Sequence, residues 1–189
     1  MHFALTSFVT LGLLASAFAA PALTERQNCA DVIVIFARGT TEPAPIGTVV
    51  GPPLQAALQA QLGSRSLSFQ GVDYPADIAG FFAGGDPLTS AANNCPNSKI
   101  VTVGYSQGGQ LVHNSVNLLS SAVRSRISAA VIFGDPDFGS PVTGVPSTRT
   151  DIICHVGDDI CAHGDLVLPP HLTYGADTPA AAAFIVSRI

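Results

Sequence analysis

The sequence predicts a single three-layer α/β domain on a central, mainly parallel five-stranded sheet. Short apolar runs rich in β-branched residues recur along the chain, and several are apolar on both faces. Strands buried on both sides read this way. Helix-period segments alternate with these runs, which is the order that builds a parallel sheet covered by helices. The length of 189 residues suits one such domain.

The elements follow in order. Val32-Ile33-Val34-Ile35-Phe36 is the first strand. Residues 49–62 carry apolar positions at helical spacing and stop before Gly63. Residues 67–72 form a second, weaker strand, and Lys99-Ile100-Val101-Thr102-Val103 a third. Residues 111–123 read as an amphipathic helix. Ala129-Ala130-Val131-Ile132-Phe133 is a fourth strand, halted by Gly134-Asp135-Pro136, and residues 151–153 are a short fifth. Residues 179–189 form an Ala-rich closing helix, with Thr178 expected as N-cap and Pro179 at its first helical position.

Ahead of the domain, residues 8–20 are apolar but too short for a membrane span. Ala17-Phe18-Ala19 has the small-x-small pattern of a signal-peptidase site. Residues 1–19 are therefore expected to be a secretory signal, 20–26 a short pro-segment, and 27–189 the domain. No later run reaches spanning length, so stable membrane insertion is not expected despite a mean hydropathy of +0.40.

Hydrophobic residues make up 47% and charged residues 11%, which excludes a disordered chain. Eight Lys+Arg against thirteen Asp+Glu leave a formal charge of −5 with no basic run. That argues against nucleic acid or an anionic membrane surface as a partner. Four cysteines (Cys29, Cys95, Cys154, Cys161) suit an oxidising compartment, and three pairings are open. A local Cys154–Cys161 loop is plausible, leaving Cys29 and Cys95 to close a long one. Chain entropy assigns roughly 4 kcal/mol to the long loop and about 2.5 to the short one. No CxxC spacing supports zinc.

Ligand sites in parallel sheets lie beyond the carboxyl ends of the strands. Directly after the third strand stands Gly104-Tyr105-Ser106-Gln107-Gly108, opening a helix. This is G-x-S-x-G in strand–turn–helix context, the nucleophile elbow of an α/β-hydrolase-like fold. The tight turn lifts the Ser106 hydroxyl, and the helix N-terminus favours a developing oxyanion.

A serine nucleophile needs a base, and the base an acid, in chain order Ser, acid, His. His113 lies inside the elbow helix, where packing or solvent is expected. His171, in the stiff Pro169-Pro170-His171 loop, is the favoured base, with His163 the alternative. Asp158, at the tip of the Cys154–Cys161 segment, is the favoured acid, and Asp135 the runner-up. The Gln107 backbone N–H is one oxyanion donor. Thr40, in the loop after the first strand, can supply a second through its backbone or hydroxyl.

These pieces together resemble the cutinase family of secreted fungal serine esterases. The carrying stretches are Phe36-Ala37-Arg38-Gly39-Thr40-Thr41-Glu42, the Ser106 elbow, Cys154-His155-Val156-Gly157-Asp158-Asp159-Ile160-Cys161 and Pro170-His171-Leu172-Thr173-Tyr174-Gly175. The resemblance spans nearly all of residues 29–189. It implies Ser106 as nucleophile, Asp158 as acid, His171 as base, and Thr40 with Gln107 as oxyanion hole. It implies the bridges Cys29–Cys95 and Cys154–Cys161, and a monomer with no metal or cofactor. Hydrolysis of cutin and short-chain esters follows from it, with acetylxylan esterase as a near alternative. A non-catalytic secreted surface or elicitor protein on the same scaffold is the reading from a different class.

Two departures accompany the resemblance. Thr40 stands where relatives often carry Ser. Relatives also have a helix before the cysteine that precedes the elbow strand, and residues 88–94 look too short to replace it. The expectation is a partly uncovered sheet face. Leu166-Val167-Leu168, and Phe81-Phe82 upstream, offer either an apolar substrate wall or plain core packing. No long insertion offers a lid, which favours an open site over an interfacially activated lipase.

Overall fold

The computed structural model describes residues 29–77 and 86–189. The signal and pro-segment expectations, and Phe81-Phe82, lie outside the described residues. The strands are β1 (Val32–Ala37), β2 (Leu67–Gly71), β3 (Lys99–Tyr105), β4 (Ile127–Phe133) and β5 (Thr150–Ile153). The helices are α1 (Gly51–Gln61), α2 (Asp86–Asn94), α3 (Gln107–Leu118), α4 (Ser121–Ser125) and α5 (Thr178–Val186). The sheet order is β2-β1-β3-β4-β5, and every pairing is parallel.

Alternation along each strand divides the core in two. Val32, Val34 and Phe36 face α1 and α5, with Leu54, Leu58, Ala181 and Ile185 against them. Ile33 and Ile35 point the other way, with Ile100, Ile127 and Ile132, towards α2 and α3. Phe36, Leu54, Leu58 and Ile132 are fully buried. Each contributes about 1.5–3 kcal/mol by leaving water. Every β1 residue is buried, as a central strand covered on both faces requires.

Three expectations need correction. A helix does precede Cys95: α2 lays Leu88, Ala91 and Ala92 on the second sheet face. Nine residues suffice because small side chains let the helix approach closely, and the Cys29–Cys95 bridge anchors its end. The face is covered, leaving an apolar gap of about 20 Å³ among Ile35, Leu88, Leu111 and Val112. Second, the segment after the elbow is two helices. α3 ends at Leu118, and Ser120 starts α4 by accepting the Val123 N–H at 3.3 Å. Third, Thr178 does not cap α5. Its hydroxyl donates to Gly175 O at 2.8 Å, Asp177 occupies the N-cap without a side-chain bond, and Pro179 is the second helical residue rather than the first.

The strand order reverses between β1 and β3. β1 connects outward to β2, and the chain then returns to place β3 on the other side of β1. The crevice beyond their carboxyl ends is the switch point where open α/β sheets bind ligands. Thr40 follows β1 and Ser106 follows β3, so both candidate residues fall there.

Candidate active site

The elbow is built by close backbone contact. Ser106 sits at φ 56°, ψ −124°, a conformation that L-residues avoid and that costs of order 1–3 kcal/mol. Its N–H bonds Phe133 O at 2.9 Å, and its own carbonyl accepts the Gly109 N–H at 2.7 Å. Gly108 is obligatory: a Cβ there would lie 2.0 Å from the Ala37 carbonyl oxygen. That approach presses the first turn of α3 against the end of β1.

His171 arrives from a 3-10 turn, Pro169–Leu172, set by two consecutive prolines. Its ring stacks on Tyr105, the residue before Ser106, at 5.3 Å between centroids. The Tyr105 hydroxyl donates to His171 O at 2.9 Å. Gly134, with φ 59°, makes room for the ring; a Cβ there would come within 2.7 Å of His171 Cε1. His171 Nδ1 bonds Asp158 Oδ2 at 2.8 Å. With Nδ1 donating, Nε2 is an acceptor, and it is buried without a hydrogen-bond partner among the described residues.

Asp158 is 3% exposed, at the tip of the loop closed by the Cys154–Cys161 bridge. Its Oδ2 accepts a second bond, from the Tyr174 hydroxyl at 2.6 Å, and its Oδ1 accepts the Ile160 N–H at 3.1 Å. Burial alone pushes this carboxyl up. The bonds from Tyr174 and His171, the attraction of His171 and the Ile160 N–H outweigh it and hold the pKa below the ordinary value. Asp158 is therefore a carboxylate at neutral pH.

Thr40 lies across from the elbow, with its hydroxyl 3.3 Å from Gln107 Oε1. The buried Gln107 side chain also donates to Asp77 O at 2.6 Å. The Thr40 loop is held rigidly. Arg38 donates to Glu42 O and Tyr74 O, each at 2.8 Å. Glu42 accepts N–H groups from Gly39, Thr48 and Val49, each at 2.9 Å. Tyr74 donates back to Arg38 O. Burial raises the Tyr74 pKa to about 12, so this donor keeps its proton.

The alternatives separate cleanly. Asp135, fully buried, is bonded to His113 Nε2 at 2.9 Å rather than to His171. His163 lies on the surface, with Nδ1 on Pro136 O at 2.9 Å. Atoms of His113, Asp135 and Asp137 lie within 4.8 Å of one another, as a metal would need. The His113–Asp135 bond already commits the central pair, which serves to join α3 to the end of β4.

Three contributors went unread in the sequence: Tyr174, the Arg38–Glu42 pair and His155. His155 Nε2 bonds Asp177 at 2.8 Å, Nδ1 bonds Pro170 O at 2.9 Å, and the ring stacks on Tyr174 at 4.1 Å. It ties the Asp158 loop to the His171 loop. An Arg and a Glu four apart, in a chain only 11% charged, were the available signal for the first loop. Tyr174 is fully buried, and its hydroxyl accepts the His155 N–H at 2.9 Å.

Because Tyr174 helps keep Asp158 ionised, Tyr174→Phe has a pH signature. The Asp158 pKa rises towards its ordinary value, so the acid-induced loss of stability begins at higher pH. The neutral-pH rate falls about tenfold. The Asp158 contribution to stability is complete above the ordinary carboxylate range and is lost as pH falls through the depressed value. The variant is thus destabilised at neutral pH and much less at low pH. Turnover at neutral pH, with melting at two pH values, checks this; a stability loss that does not shrink at low pH overturns it.

An elbow serine beyond a parallel strand, with a His–Asp pair delivered from later loops, defines the serine-hydrolase class of the α/β folds. Within it, the family profile described as Cutinase matches residues 28–189, and the chain belongs to the cutinase family. A cutinase of Botryotinia fuckeliana is 59% identical over 170 residues, covering 85% of this chain and 84% of its own. One from Monilinia fructicola is 55% identical over 180 residues, covering 90% and 89%. A solved Trichoderma reesei cutinase in complex with a C11Y4 phosphonate inhibitor superposes with a TM-score of 0.81 at 46% identity, covering 84% of this chain and 76% of its own. An acetylxylan esterase at 22% identity and TM-score 0.69 shares the fold. As a member of the family, the protein is a carboxylic ester hydrolase.

Proposed function

We propose that the protein is a secreted serine esterase that hydrolyses cutin and short-chain esters through an acyl-enzyme. The observation that carries the mechanism is the buried His171–Asp158 bond, with Nε2 left as an open acceptor beside the elbow. His171 Nε2 takes the Ser106 proton as Ser106 Oγ attacks the ester carbonyl. The Gln107 N–H and Thr40 stabilise the oxyanion, each donor supplying about 3 kcal/mol. The imidazolium, held by Asp158, returns the proton to the departing alcohol. Water, deprotonated by His171, then releases the acid.

Substrate choice rests on the surface around the site. Val156, Leu166, Val167 and Leu172 are all more than half exposed and flank Asp158 and His171. Their exposure argues against plain core packing and for contact with an apolar polyester. The cutinase relatives support cutin; the acetylxylan esterase likeness, at low identity, supports the fold alone. The two disulfides and the apolar N-terminal segment support secretion. Cutin-like polyester and acetylated xylan, assayed side by side with phosphonate labelling, test the reading. Labelled protein that releases acid from the polyester supports it. Release only of acetate from xylan overturns the substrate assignment, and folded protein that takes no label overturns the mechanism.

A further inference from the structure

The fold concentrates positive charge where the sequence has no basic run. Lys99 opens β3, Arg126 precedes β4, Arg149 precedes β5 and Arg188 follows α5. In an all-parallel sheet these positions share the amino-terminal end, opposite Ser106. They line one open groove of about 450 Å³, and they are half of the chain's eight Lys+Arg.

The groove's three arginines have neutral partners. Arg126 donates to Ala92 O, Cys95 O and Ser98 O at 3.1–3.4 Å. Arg149 donates to Ile127 O at 3.2 Å, and Arg188 to Thr148 O at 2.7 Å. Among the described residues, every ion pair joins a histidine to an aspartate, so no carboxylate lies within 4.0 Å of these four cations. Asp151 attracts Arg188 from outside that range, and the nearby Asp31 carboxylate is bound by Ser66. Helix carboxyl ends account for Arg126 and Arg188. Arg149 ends the 3-10 turn Ser147–Arg149, whereas Lys99 stands at a strand entrance where no helix end asks for a cation.

We propose that this groove binds a polycarboxylate polysaccharide, a chain of uronate-type sugars, while the opposite end of the sheet stays free for ester substrate. Spaced guanidinium and ammonium groups match carboxylates repeating along a chain. Asn97, Ser125 and Ser128 supply amide and hydroxyl groups to the same wall, which suits a hydroxyl-rich polymer. No aromatic side chain lines the groove to stack a base. Pro96 is the sole apolar residue in the lining, too little to enter a bilayer. The proposal stands independently of the esterase mechanism.

Affinity electrophoresis of the full chain through polygalacturonate tests it. Retardation is expected in polygalacturonate, absent in its methyl ester, and lost at about 0.5 M salt. Lys99→Glu with Arg188→Glu should weaken binding by about tenfold or more, with turnover of a soluble ester and circular dichroism unchanged. Lys99→Gln, which removes one charge without reversing it, provides a milder variant with a smaller loss. Equal retardation of all variants, or equal retardation by the methyl ester, overturns the proposal. Tighter binding to phosphatidylglycerol vesicles or to DNA than to polygalacturonate overturns the polysaccharide assignment.

Discussion

Ser106→Ala is expected to lower ester turnover by about a millionfold while the protein stays folded. The elbow is a backbone construction. The Ser106 N–H to Phe133 O bond and the Gly108 approach to Ala37 O do not involve the side chain. Alanine meets the same φ of 56° as serine, so the change adds little strain. What disappears is the atom proposed to form the acyl-enzyme, leaving water to attack with help only from the proposed oxyanion donors. Kinetics on a short-chain nitrophenyl ester, circular dichroism and phosphonate labelling read this out together. The variant should keep its spectrum and lose its label. Retention of more than about one part in a hundred of the activity would place the nucleophile elsewhere.

Asp158→Asn should cost about ten-thousandfold in kcat, again with the fold retained. The side chain is isosteric, but the site offers it only donors. Oδ2 receives His171 Nδ1–H and the Tyr174 hydroxyl, and Oδ1 receives the Ile160 N–H. An asparagine NH₂ at the Oδ2 position faces two donors. It can be accommodated if His171 takes the other tautomer, with Nδ1 accepting and Nε2 carrying the proton. Nε2 then has no lone pair for the Ser106 proton. Turning the amide puts NH₂ against the Ile160 N–H, a buried donor–donor contact costing about 1–3 kcal/mol. The tautomer is readable by nitrogen NMR of the His171 ring. A rate loss below tenfold would show that Asp158 does not orient His171.

The elements legible in the sequence were those with a local cause. β-branched runs read correctly as buried strands, and G-x-S-x-G after such a run located the elbow. The Cys-bracketed Gly-Asp and the Pro-Pro-His loop singled out Asp158 and His171, whose bond the fold then supplies. Misreadings arose where distant partners decide. Periodicity across residues 111–123 continues through Leu119, and only the Ser120 cap separates α3 from α4. The region before Cys95 looked too short for a helix because sequence length does not reveal how closely Ala91 and Ala92 let α2 approach.

By itself, the sequence determined the class of fold, the nucleophile elbow and a short set of candidate acids and bases. Periodicity, turn chemistry and backbone room are written in neighbouring residues, so these could be read along the chain. The tertiary structure supplied the bonds that the sequence could only favour, joining Asp158 to His171 and Asp135 to His113. It also recruited Tyr174, Arg38 and Glu42 to hold the site, and gathered four scattered cations at the opposite end of the sheet. Those arrangements depend on strand order and on distances across the sheet, which no local pattern encodes.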